Sequence, residues 1–263
     1  MEEPETPPVA LSGAIRYRLV VAYRGAGYAG WQRQTNARTV QEVVEQALSE
    51  LTAQRVVVTA AGRTDAGVHA AGQVIHLDLV RPFDPSGLVH GANHRLPAEI
   101  RVLAAAPAAP GFHARYSATA KTYRYRFCRA HPVPPGWAPI AVALRHEIDL
   151  DRIRDATLHL PGRHDFGAFA VAGGSHTTPV RTIYRAAWTS RAGQLEFEVT
   201  GSGFLRGMVR GLVGTLLEVG YGQREPASFA ALLAGAERGA AGPTAPAHGL
   251  SLERVDYPPP DGP

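Results

Sequence analysis

The stretch Ile15-Arg16-Tyr17-Arg18-Leu19-Val20-Val21-Ala22-Tyr23 sets Ile15, Tyr17, Leu19, Val21 and Tyr23 on one face of an extended chain. That period of two is the signature of a half-buried strand. Gly25, Gly27 and Gly30 then mark a loop. Thr39 stands as the N-cap of the next element, with Glu42 three residues on as its capping-box partner. Val40, Val43, Val44, Ala47, Leu48 and Leu51 recur with helical spacing, so 39–51 reads as an amphipathic helix. A later segment repeats the theme: a strand over 195–200, Gly201 and Gly203, then a helix over 204–219. In that helix Val209, Leu212, Val213, Leu216 and Leu217 match Val40, Val43, Val44, Ala47 and Leu48.

Around these two segments, strands are expected at 55–61, 73–79, 122–129 and 182–190, and helices at Asp84-Pro85 and at 151–160. The Ala/Pro stretch 104–110 reads as linker, and 130–144, with Pro132, Pro134, Pro135 and Pro139, as loop. Strands interrupted by single helices, without regular βαβα alternation, indicate an α+β fold. Two related ferredoxin-like halves sharing a mixed, mainly antiparallel sheet fit the repeat. The expected division is a disordered tail at 1–13, an N-terminal half at 14–112, a C-terminal half at 113–257 and a tail at 258–263.

Composition excludes several classes. With 263 residues, 45% hydrophobic and 19% charged, the chain has the make-up of a globular protein. No apolar run approaches the roughly 20 residues a bilayer span needs. The opening Met1-Glu2-Glu3-Pro4 has neither the basic nor the apolar region of a secretory signal. Cys128 is alone, so no internal disulfide or thiolate cluster can form, and a cytoplasmic protein is expected. Lys121 is the one lysine among 27 basic residues, and the net charge is +4. The arginine skew fits either GC-rich coding or phosphate recognition by guanidinium forks.

Chemistry concentrates in Gly62-Arg63-Thr64-Asp65-Ala66-Gly67-Val68-His69, where two glycines bracket a carboxylate between strands. Asp65 reads either as an Asx-turn residue or as a nucleophile or base kept ionised by Arg63 or another guanidinium. His69, His76, His90, His94 and His113 could suggest a metal, but no pair sits on a firm helix with a third ligand, so none is expected. In Lys121-Thr122-Tyr123-Arg124-Tyr125-Arg126 the aromatics either fill the core or stack on an unpaired base beside phosphate-binding arginines. Phe204-Leu205-Arg206-Gly207-Met208-Val209-Arg210 opens the later helix and sets Arg206 and Arg210 on one face, suited to a phosphate or a carboxylate. P-loop and GxGxxG patterns are lacking.

These segments resemble the tRNA pseudouridine synthase A family. The resemblance rests on Tyr23-Arg24-Gly25 with Tyr28–Gln34, the loop around Asp65, Phe112-His113-Ala114-Arg115 with Lys121–Tyr125, Phe204–Arg210, and Gly249-Leu250-Ser251-Leu252. The motifs run in the family's order from about residue 15 to 257. The resemblance implies the pseudouridine synthase fold and isomerisation of uridines 38, 39 and 40 in the tRNA anticodon arm. It implies a homodimer needing neither metal nor cofactor. It makes Asp65 the group that attacks or deprotonates the ribose, Tyr123 the stacking partner of the flipped base, Arg210 the ion-pair partner of Asp65, and Arg63 a holder of the backbone or displaced nucleotide. Arg24, Arg33, Arg115 and Arg206 become RNA contacts. Two positions depart from the pattern: Arg24 stands where Asp is common, and Gly207 where a larger polar residue is frequent.

Three other readings share some of these residues. They are a non-catalytic tRNA-binding protein or chaperone, a metal-dependent hydrolase, and a synthase acting on another RNA.

Overall fold

The computed structural model describes residues 13–130, 132–144, 146–171, 173, 178–191, 193–237 and 239–259. Nearly all of the two expected tails, at 1–13 and 258–263, therefore lies outside the described residues.

The first half of the chain runs β1 (Ile15–Tyr23), α1 (Val40–Thr52), β2 (Thr59–Ala60), β3 (His69–Leu79), α2 (Pro85–Arg95) and β4 (Ile100–Pro107). Its strands lie in the order β4-β1-β3-β2, with all neighbours antiparallel. The second half runs β5 (Ala120–Cys128), β6 (Val142–Ala143), α3 (Leu150–Thr157), β7 (Gly162–Asp165), β8 (Val180–Arg191), β9 (Gln194–Gly201), α4 (Met208–Gly220), α5 (Pro226–Leu232) and β10 (Leu250–Asp256). Here the order is β10-β5-β9-β8, again antiparallel, with β7 added outside β8. Each half is thus a βαββαβ unit whose fourth strand lies beside its first and whose third separates first from second. The halves join where β10 runs parallel to β3, with Ser251 opposite His69 and Leu252 opposite Ala70. Among the described residues the result is one mixed, mainly antiparallel ten-stranded sheet in an α+β fold.

The internal repeat exists, but its equivalences differ from those expected. In the topology β9–α4 corresponds to β3–α2, whereas the apolar spacing of α4 matches that of α1. Helices that pack on a sheet share one period, so periodicity alone cannot say which strand precedes a given helix. Three further expectations are corrected. The strand expected at 55–61 shrinks to Thr59–Ala60, because side chains of α1 take the donors a ladder would use. Val58 N–H donates to Glu45 Oε1 at 3.0 Å and Val56 N–H to Ser49 Oγ at 2.9 Å. The linker expected at 104–110 is largely the end of β4, where Ala104, Ala105 and Ala106 pair with Val20, Leu19 and Arg18. Alanine backbone is as able to pair as any other, and Pro107 is tolerated at the end of an edge strand. The second-half helix starts at Met208, so Arg206 precedes it.

The caps expected from sequence are present. The Thr39 side chain accepts from Glu42 N at 3.4 Å and Asp84 accepts from Gly87 N at 2.8 Å. One face of the sheet carries the core: Tyr17, Leu19 and Val21 with Val44 and Leu48 of α1, then Tyr125, Phe127 and Phe197 with Leu212 and Leu216 of α4. The other face is charged. There Arg124 and Arg126 meet Glu196, Glu198 and Glu253, and Arg16 donates to Asp78 at 2.7 Å.

Gly214 lets a loop close on α4, since a Cβ there would drive into the Pro243 carbonyl. That close approach brings Ala245 to Arg210, whose carbonyl accepts from Ala245 N at 3.1 Å. Backbone has nowhere to go in this contact, so Gly214→Ala is expected to cost about 3 kcal/mol and lower Tm by roughly 6–12 °C in a thermal melt.

Candidate active site

The loop that carries Asp65 spans residues 61–68, between β2 and β3, and its shape is set by backbone bonds. Val68 N–H donates to the Asp65 carbonyl at 3.1 Å, closing a turn whose third residue, Gly67, has φ 78°. Its carbonyls are tethered from beneath: Ala61 O accepts from Lys121 Nζ at 2.6 Å, Gly62 O from Gln73 Nε2 at 2.7 Å, and Thr64 O from Trp31 N at 3.0 Å. The Thr64 hydroxyl is shared with Tyr23 Oη at 2.8 Å. Gly30, with φ 94°, fits under the loop because a Cβ there would meet the Thr64 carbonyl.

The Asp65 carboxylate is turned to two guanidinium groups and away from its own turn, so the Asx-turn reading does not describe it. Oδ2 lies 3.3 Å from Arg210 Nη1, and Oδ1 lies 4.0 Å from Arg206 Nε. The side chain keeps 26% of its accessibility, so a ligand can reach it. Arg210, in the first turn of α4, donates from Nε to the Ala245 carbonyl at 2.8 Å, which fixes the fork while Nη1 faces Asp65. Arg206 reaches the carboxylate from the loop before the helix. Gly207 next to it has φ 69°, and a Cβ there would strike Val171, so a larger residue does not fit this backbone.

Tyr123 faces the same site from β5, almost wholly buried, with its ring edge-on to Phe204 at 5.1 Å. Tyr23, Ala70, Leu252 and Tyr123 form one rung across the seam of the two halves. Burial, with Tyr23 and Asp65 nearby, pushes the Tyr123 phenol far up, so it is a neutral O–H at physiological pH. Tyr125 is core: its Oη donates to the Pro246 carbonyl at 2.7 Å. Arg124, by strand alternation, lies on the charged far face.

The remaining arginines spread around this centre. Arg63 is exposed two residues before Asp65, and Arg115 is exposed in the turn before β5. Arg24 is exposed beside β1, its N–H bonded to the Glu99 carbonyl at 2.9 Å. Arg33 turns its guanidinium to Glu45 at 2.6 Å. The histidines serve backbone: His69 Nδ1 accepts from Gly25 N at 3.0 Å, His76 Nδ1 from Ala114 N at 3.1 Å, and His113 Nδ1 from Arg115 N at 3.2 Å. Among the described residues no group of three or more His, Cys, Asp or Glu is arranged to hold a metal ion. Sequence reasoning missed Ala245, Gln73 and Lys121 as supports of the site; the lysine's being alone in the chain was the one signal that could have singled it out.

Fold and site together define an α+β protein with an accessible carboxylate clamped by guanidinium groups at the seam of its two halves. A family model described as tRNA pseudouridine synthase matches residues 19–117 and 156–258. The chain is 44% identical over 244 residues to tRNA pseudouridine synthase A of Syntrophotalea carbinolica, covering 93% of this chain and 97% of that one. It is 41% identical over 246 residues to the protein of that name from Bacillus subtilis, covering 92% and 99%. This chain belongs to the tRNA pseudouridine synthase family.

Proposed function

We propose that this chain isomerises uridine to pseudouridine at positions 38, 39 and 40 of the tRNA anticodon arm, with Asp65 as nucleophile or base at the ribose. Its family makes it an isomerase of tRNA uridine. The observation that carries the assignment to Asp65 is the accessible carboxylate held 3.3 Å from Arg210. The reaction breaks N1–C1′, forms C5–C1′, removes the proton from C5 and returns one to N1. Atoms and electrons balance within the nucleotide, so no donor, acceptor or cofactor is required.

The target base must leave its stack to be reached, at a cost of roughly a few kcal/mol. In this reading it lies against Tyr123, whose hydroxyl assists removal of the C5 proton. Cleavage of the glycosidic bond develops positive charge at C1′, which a neighbouring carboxylate stabilises. Arg63, Arg206, Arg24, Arg33 and Arg115 contact the RNA backbone. The two halves, 14–112 and 113–257, supply the loop and the clamp respectively. The working unit is a homodimer, since an L-shaped tRNA is long beside one chain of 263 residues, and its substrate places it in the cytoplasm. No helix among the described residues is long and apolar enough to cross a membrane.

Tritium release from tRNA labelled at uridine C5 tests the activity. The purified protein is expected to release tritium in the presence of EDTA, and to release none when positions 38–40 carry no uridine. A chelator-sensitive reaction, or undiminished release from the substituted tRNA, would contradict the proposal.

A further inference from the structure

Lys121 is the chain's one lysine, and the chemistry above leaves it unused. It stands two residues before Tyr123 on β5 and so shares Tyr123's face of the sheet. An ammonium offers three donors. Among the described residues, Lys121 has one hydrogen-bond acceptor, the Ala61 carbonyl at the start of the catalytic loop. Burial lowers its pKa to about 8, with the nearby positive charges of Arg115 and Arg181 acting in the same direction.

The register accounts for this gathering of cations. Lys121 lies opposite Gly201 on β9, and Gly201 lies opposite Ile183 on β8. Arg181, two residues from Ile183, therefore shares the face of Lys121. Arg115 comes from the turn that leads into β5. Among the described residues no carboxylate lies within ion-pairing distance of any of the three. The Arg181 guanidinium donates only to the carbonyls of Thr178 and Val180, at 2.8 and 2.6 Å. On the far face of the same sheet, by contrast, Arg124 and Arg126 are met by three glutamates.

Glycine backbone also lies directly against two of these groups. A Cβ at Gly62 would come tightly against Lys121, with Nζ at 3.3 Å. A Cβ at Gly203 would meet Arg181 alone, at 3.8 Å. Bare backbone, with no side chain of its own, thus lies beside two cations that meet no carboxylate among the described residues. Gathering like charges in a half-buried place is unfavourable unless an anion joins them. A nucleotide whose ribose is at Asp65 brings its own phosphates to this edge of the loop.

We propose that Lys121, Arg181 and Arg115 seat a backbone phosphodiester of the RNA strand that carries the flipped uridine. The site rests on the reading of this chain as an RNA uridine isomerase, and its test separates the two. Protein grown on lysine labelled with carbon-13 at Cε gives one lysine side-chain signal, which can be titrated with pH. Saturating anticodon stem-loop RNA is expected to move that midpoint up by about one unit or more, because a phosphate favours the ammonium. The second measurement uses Arg181→Gln, a change at the rim of the sheet. Its KM for tRNA should rise about tenfold with kcat within about twofold, and the slope of log Kd against log salt should fall by roughly 0.7. A lysine midpoint unmoved by saturating RNA, or unchanged KM and salt slope in Arg181→Gln, would overturn the phosphate site while tritium release by the wild type still upheld the isomerase. Absence of wild-type tritium release would instead overturn the isomerase and the site with it.

Discussion

Asp65→Ala is expected to abolish tritium release, by at least about 10³-fold in kcat, while tRNA binding stays within about tenfold of wild type. The asymmetry comes from where the carboxylate sits. Asp65 contributes one negative charge, held by Arg210 and Arg206, to a surface that has to attract a polyanion. Removing it takes nothing from phosphate binding and leaves the loop's tethers in place. Those run through the carbonyls of Ala61, Gly62 and Thr64, and through the Asp65 carbonyl itself, all of which alanine retains. The chemistry has no substitute, because no other carboxylate contacts Arg210 among the described residues. Full tritium release by the variant would remove Asp65 from the mechanism. Loss of binding together with activity would show that the loop had collapsed, and a melt would reveal it.

The second large effect is expected at Arg210. Its guanidinium makes two contacts at once, Nε to the Ala245 carbonyl at 2.8 Å and Nη1 to Asp65 at 3.3 Å. Arg210→Gln removes the charge and ends near the position of Nε, short of Asp65, and kcat should fall by about 10²–10³-fold, the usual loss for one pre-aimed donor. Arg210→Lys should recover little, since a single ammonium cannot span both acceptors. KM for tRNA should change by less than about threefold in either variant, because the clamp faces inward with only 20% of its side chain exposed. Wild-type kcat in Arg210→Lys would mean that charge alone suffices and that the Ala245 contact is incidental. Steady-state tritium release across a tRNA concentration series separates the two parameters.

Much of this site was legible in the sequence because its parts are local. The glycines around Asp65, the Thr39 cap and the period-two pattern of β1 each declare themselves within a short window. The α+β class is implied by element order, and the two-half sheet by the repeat. What was not legible depends on non-local pairing. Alignment of α4 with α1 gave the wrong equivalence, because the position of β10 between β3 and β5 is a property of the whole sheet. Residues 55–58 have the composition of a strand, but Glu45 and Ser49 of α1 claim their donors. The alanines at 104–106 have the composition of a linker because their neighbour, β1, lies far earlier in the chain. Gly207, a departure from the family pattern, acquires a reason only from φ 69° and the proximity of Val171. Arg206 and Arg210 were expected to share a helix face. They converge on Asp65 even though one precedes the helix and the other lies in its first turn.

The arginine excess divides into two groups. Arg16, Arg124 and Arg126 are neutralised by carboxylates, so their number says nothing about RNA. Arg115 and Arg181 meet no carboxylate among the described residues and lie near Lys121, whose Nζ donates to the Ala61 carbonyl. The net +4 hides this division, which shows only in the distribution of counter-charges.

Pseudouridine mapping in tRNA from a strain lacking the gene, complemented with wild type or with Asp65→Ala, joins residue to reaction in one experiment. Pseudouridine at positions 38–40 should disappear on deletion, return with the wild-type chain and stay absent with Asp65→Ala at equal protein level. Its return with Asp65→Ala would contradict the assignment of the carboxylate, and its persistence on deletion would contradict the proposed target.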